Sequence, residues 1–145
     1  YKGSLDFNSQ LAINSVLLDG GSLKLSTFEN VGSLTINGGE LIYGGIINAD
    51  SFAVNAVGEI KVVFSDEDLE SYNLLIVDFD NLTGDFDESL FVAYDEEGNK
   101  LGGEFTKTVY SDYSGSLTYT VPEPATFAAL LGMAALFFAA RRKSK

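Results

Sequence analysis

The chain has no cysteine, no histidine and no tryptophan, and only two prolines in 145 residues. Without cysteine there is no disulfide scaffold, no thiolate metal site and no cysteine nucleophile. Without histidine, Ser-His-Asp catalysis, imidazole metal ligation and a histidine pH switch are excluded. Positive charge is scarce: nine Lys and Arg stand against 21 Asp and Glu, a formal net charge of −12. That balance argues against a nucleic-acid partner, because phosphate binding is carried by clustered Lys and Arg. The length allows one compact domain with appendages.

What is present is unevenly placed. Residues 1–126 hold all 21 acids and five lysines, 5 − 21 = −16. Arg141, Arg142, Lys143 and Lys145 close the chain. Between body and basic end, residues 127–140 read FAALLGMAALFFAA, with no polar side chain. Fourteen helical residues span about 21 Å, short of a hydrocarbon core of about 30 Å, so length alone leaves a buried helix or a signal-type segment open. Three features favour a membrane helix. The run is apolar all round. Arg141, Arg142 and Lys143 can snorkel to headgroups and act as a membrane stop. Thr126 can cap the helix, and residues 121–126 can extend its reach. The basic end is then expected to stay cytoplasmic, with the acidic body on the other side of the membrane.

The residues before the helix read Val121-Pro122-Glu123-Pro124-Ala125-Thr126. Two prolines on alternate positions hold an extended backbone that joins neither sheet nor helix. Followed by a short apolar helix and a basic cluster, this order resembles the PEP-CTERM sorting signal of Gram-negative envelope and exopolysaccharide-associated proteins. The resemblance covers residues 121–145. It implies recognition of Pro122, Glu123 and Pro124 by exosortase, a membrane protease-transpeptidase. It also implies that the helix holds the protein in the inner membrane only transiently and is then discarded, as a GPI signal is. The expected destination is the bacterial cell surface or the extracellular matrix, with an exopolysaccharide as a candidate partner.

The first half of the chain is repetitive. Gly3-Ser4-Leu5-Asp6-Phe7, Gly21-Ser22-Leu23-Lys24-Leu25 and Gly39-Glu40-Leu41-Ile42-Tyr43 align at offsets of 21 − 3 = 18 and 39 − 21 = 18. Gly58-Glu59-Ile60-Lys61-Val62 follows at 58 − 39 = 19. Ser15–Asp19, Ser33–Asn37 and Ser51–Asn55 form a second block with the same period. The columns Leu5/Leu23/Leu41/Ile60, Phe7/Leu25/Tyr43/Val62, Val16/Leu34/Phe52 and Leu18/Ile36/Val54 are apolar and should point inward. The alternate columns Ser4/Ser22/Glu40/Glu59 and Leu17/Thr35/Ala53 should face out. Asp19-Gly20-Gly21 and Asn37-Gly38-Gly39 supply turns tolerant of positive φ. A third stretch carrying Phe28 and Ile46 is a candidate for another inward column. A fixed period with stacked apolar columns predicts an all-β fold, a β-solenoid with about 18 residues per coil, over residues 1–62. The alternative is a β-sandwich with chance similarity. Because the pattern is under way at Tyr1, further coils are expected upstream.

Residues 63–120 carry 14 of the 21 acids and are not repetitive. Strand-like segments at 73–79, 89–94, 103–110 and 116–121 predict a short antiparallel β cap over the exposed end of the last coil. Here the body resembles passenger domains of autotransporter-like surface proteins. The run Asp78–Glu88 is acid-rich, but a register started at Asp78 puts Leu82 and Thr83 where an EF-hand needs an oxygen ligand and Gly, so no metal or cofactor is assigned. Solvated turn acids are the expectation, with a weak calcium contact as the alternative. Asn81-Leu82-Thr83 fits a glycosylation sequon that carries little weight in a bacterial setting. Tyr110, Tyr113 and Tyr119 cluster in sequence near the sorting signal. No catalytic constellation emerges, and a structural or adhesive role is expected rather than an enzyme. The alternative is the C-terminal part of a polysaccharide-active β-helix enzyme whose catalytic coils lie upstream. The division is 1–62 coils, 63–120 cap, 121–126 motif, 127–140 membrane helix and 141–145 basic tail.

Overall fold

The computed structural model describes residues 4–7, 12–25 and 29–122. The fold is all-β: β1 (Ser4–Phe7), β2 (Ala12–Leu25), β3 (Glu29–Ile42), β4 (Ile47–Val54), β5 (Ile60–Phe64), β6 (Asn73–Leu82), β7 (Phe91–Asp95), β8 (Glu104–Val109) and β9 (Gly115–Thr120). These segments alternate apolar with polar or small residues, the period-2 pattern of a strand with one buried face. β2 and β3 each run for 14 residues and cross a turn at Asp19-Gly20-Gly21 or Asn37-Gly38-Gly39. All four of these glycines have positive φ. At Gly39 (φ +111°) a methyl group would also sit 2.8 Å from the Gly21 carbonyl of the preceding repeat. Only glycine lets two such turns stack this closely.

The turns divide each long strand between two parallel ladders. In the first, β2, β3, β4 and β6 pair in register: Val16↔Leu34, Leu34↔Phe52 and Phe52↔Leu82. In the second, β1, β2, β3, β5 and β7 follow: Leu5↔Leu23, Leu23↔Leu41, Leu41↔Val62 and Val62↔Ala93. The columns Leu18/Ile36/Val54, Leu34/Phe52/Leu82 and Leu23/Leu41/Val62/Ala93 are buried. Outward positions form polar rows, with Ser33 Oγ donating to Ser15 Oγ and Ser22 Oγ donating to Glu40 Oε1.

Three sequence expectations are corrected. The block after Tyr43 pairs at an offset of 21, not 19, because Leu41 faces Val62 rather than Ile60. The connection there is longer, and a slip of two keeps every side chain on its own face. Lys61, not Glu59, therefore extends the outward row. The region after residue 63 is not an antiparallel cap throughout. β6 and β7 continue the parallel ladders, at offsets of 77 − 47 = 30 and 91 − 60 = 31. The extra residues loop out through short 3-10 turns at Asp68–Glu70 and Glu88–Leu90, which hides the period. Only β8 and β9 run antiparallel, β9 on β6 and β8 on β9. The third inward column is Val31/Ala49/Phe79, with Ile47 facing Val77; Ile46 is only half-buried, and Phe28 lies outside the described residues.

Aromatic rings close the core at this end. Phe79, Phe52, Phe86, Phe91, Phe105, Tyr119, Phe64 and Tyr43 form one chain of ring contacts with centroids 4.8–5.8 Å apart. The chain crosses from the first ladder to the second and ties both to β8 and β9. Such ring pairs add to area burial.

Candidate functional site

The candidate site is where the folded body ends. β9 lies between β6 and β8, and Thr120 pairs with Asn73 on one side and Glu104 on the other. The next residue continues the ladder: the Val121 N–H donates to the Tyr72 carbonyl at 3.0 Å. Val121 is half-buried against the core, while Pro122 is exposed. Pro122 lies beside Gly102, where an added methyl would meet Pro122 Cγ at 3.6 Å. Gly102 in turn accepts a hydrogen bond from the hydroxyl of Tyr119. Two of the predicted motif residues, Val121 and Pro122, are thus placed directly at the end of β9. Glu123, Pro124, Ala125 and Thr126 lie outside the described residues, as do the expected membrane helix 127–140 and the membrane stop Arg141, Arg142 and Lys143. Among the described residues no helix is long and apolar enough to cross a membrane.

The surroundings of this end are held by one lysine. Lys107 on β8 pairs with Asp85 at 2.5 Å and Glu88 at 3.8 Å, donates to the Phe86 carbonyl, and lies 4.8 Å from the centroid of the Phe86 ring. It fastens the loop between β6 and β7 to the terminal strand. A lysine on such a strand also discourages pairing with another chain. A shallow cavity of about 280 Å³ has Phe91, Phe105 and Tyr119 in its lining and Glu88, Lys100 and Glu104 among its polar residues.

The Lys107 hydrogen bond holds the Asp85 carboxyl below the usual range, helped by the Phe86 N–H and the lysine charge. Asp87 is lowered by hydrogen bonds from Ser89, Asp95 by Asn99 and Asp112 by Ser114, each within its own turn. Among the described residues no three metal-type ligands gather. The tyrosine cluster read from sequence separates in space. Tyr119 is fully buried, whereas Tyr110 and Tyr113 are 64% and 63% exposed at the β8–β9 turn. Antiparallel pairing puts that turn at the opposite end of β9 from Val121, about 20 Å away at about 3.3 Å per residue. Sequence reasoning missed Tyr72, Gly102 and Lys107. No local signal marks the backbone carbonyl of Tyr72, which lies far upstream of its partner Val121 in the chain.

The family model described as the PEP-CTERM protein-sorting motif matches residues 120–143. No curated protein and no solved structure matches the chain. The motif supports export to the cell envelope by way of exosortase sorting.

Proposed function

We propose that this chain belongs to an exported structural or adhesive protein of the cell surface or extracellular matrix, sorted through residues 120–143. The observation that carries the reading is the PEP-CTERM match over residues 120–143, which begins at the last paired residue of β9. Residues 127–140 act as the membrane helix, and Arg141, Arg142 and Lys143 hold its cytoplasmic end. Exosortase reads Pro122, Glu123 and Pro124, after which the body is released from the inner membrane to the surface. The body is a β-solenoid of the autotransporter-like kind. In favour of this stand the two parallel ladders and their stacked apolar columns. An exopolysaccharide is a candidate partner.

The proposal assigns no catalysis to the body. The carboxyls with a resolved shift are held low, Asp85 first by Lys107 on β8 and Asp87, Asp95 and Asp112 by their own turns, whereas a general acid near neutral pH needs a raised value. The test is expression in a host with an exosortase, with the mass of the mature C-terminus measured. Loss of residues 127–145 is expected. Glu123→Gln, and Pro122→Ala with Pro124→Ala, should accumulate as the full-length membrane-held form. A wild-type protein that keeps its tail in that host overturns the sorting reading and leaves a plain C-terminal anchor.

A further inference from the structure

We propose that the folded body restrains its own sorting motif, so that Val121 must be released from Tyr72 before processing. This rests on the sorting reading above and deepens it. An enzyme that captures an extended peptide by strand addition hydrogen-bonds to its main chain, so backbone groups already paired within the body are not open to it. The N-terminal side is already taken here. Both edges of β9 are paired up to Thr120, by β6 and by β8. The Val121 N–H is spent on the Tyr72 carbonyl at 3.0 Å, and the Val121 side chain packs against the core. Pro122 has no N–H to offer and leaves the body beside Gly102.

β9 is also hard to peel back. Leu117 and Tyr119 are fully buried, and Tyr119 stacks on Phe64 and touches Phe105. Opening can therefore stop cheaply only at Val121, where one backbone hydrogen bond and half a valine are given up. Val121 is thus a positioning residue: it sets where the enzyme's footprint can begin and lowers the fraction of chains ready for it. The penalty is that of one net hydrogen bond plus part of a side chain, which corresponds to about a five- to tenfold reduction in that fraction.

The test is a full-length variant with Gly-Ser-Gly-Ser inserted between Val121 and Pro122, expressed beside wild type in a host with an exosortase. The insertion leaves β9 and the Tyr72 contact intact and moves the motif clear of the body. Pulse-chase loss of the tail should be about five- to tenfold faster in the variant. Equal or slower processing of the insertion variant, with wild type still processed, overturns the restraint alone. If neither chain is processed, the sorting reading fails and the restraint falls with it. Amide hydrogen exchange on the purified wild-type chain gives a readout independent of the enzyme. Val121 should exchange about five- to tenfold more slowly than the intrinsic rate for its sequence; exchange at the intrinsic rate refutes the contact.

Discussion

Tyr119 is the most informative single position, because it joins the two ladders to the terminal strands. Its ring is fully buried, stacked 4.8 Å from Phe64 at 15° and 4.8 Å from Phe105 at 35°, and its hydroxyl donates to the Gly102 carbonyl. Tyr119→Phe removes only that hydrogen bond. Gly102 is exposed, so its carbonyl can turn to water, and the expected cost is about 1 kcal/mol. Tyr119→Leu loses the same bond, two ring contacts at about 1 kcal/mol each, and leaves volume unfilled at about 1 kcal/mol more. The total is about 4 kcal/mol. For a body of this size about 4 °C of Tm accompanies each kcal/mol, so drops of about 4 °C and about 16 °C are expected. Thermal melts and urea titrations of the two variants measure them. Tyr110→Leu, at a 64% exposed position, serves as the control and should stay within about 0.5 kcal/mol of wild type. If Tyr119→Leu loses no more than Tyr119→Phe, the rings do not close the core and the argument for a sealed end fails.

Leu34→Asp should unfold or open the ladders, because Leu34 is fully buried in its column, while Thr35→Asp on the outer face should cost less than about 1 kcal/mol; matching melting points would refute the inward and outward assignment. Gly39→Ala should destabilise by about 2 kcal/mol through its positive φ and its approach to Gly21, whereas Gly58→Ala has open space and should be neutral or slightly stabilising; chemical denaturation compares them. Asp85 has a lowered pKa, so its contribution is present above the ordinary aspartate value of about 4 and is lost as pH falls through the lower folded value. Exchange protection of the Phe86 amide should fall in that acid window, and Asp85→Asn should show the same reduced protection at neutral pH; equal protection of the Phe86 amide in wild type and Asp85→Asn at neutral pH contradicts this.

The periodic half was legible where the turns keep their length. Leu5/Leu23/Leu41 and Val16/Leu34/Phe52 pair as the alignment placed them, because a Gly-Gly turn repeated at a fixed spacing stacks on itself. Legibility ended where connections changed length. The extra residues after Asn55 moved Val62 onto Leu41, and the loops around Asp68 and Glu88 stretched later offsets to 30 and 31. Asn73–Leu82 still looks like a strand by itself, yet nothing local says whether it runs with or against its neighbour. At the site, Pro122 could be read from sequence because proline acts locally through its own φ. The partner of Val121 could not, since a carbonyl on Tyr72 reaches it only through the antiparallel docking of β9 on β6.

The position of β9 has a mechanical consequence. The chain leaves the body through Val121 in line with the strand, and β9 is flanked by antiparallel neighbours along its whole length, Asn73–Phe79 on one side and Glu104–Val109 on the other. A pull applied at the C-terminal end is therefore directed along the strand axis. It strains the hydrogen bonds of both flanking pairs together, in shear, instead of unzipping them one at a time. A body tethered through this end and dragged by flow would keep its fold until both rows of bonds gave way at once, and the first contact to part would be the one between Val121 and Tyr72.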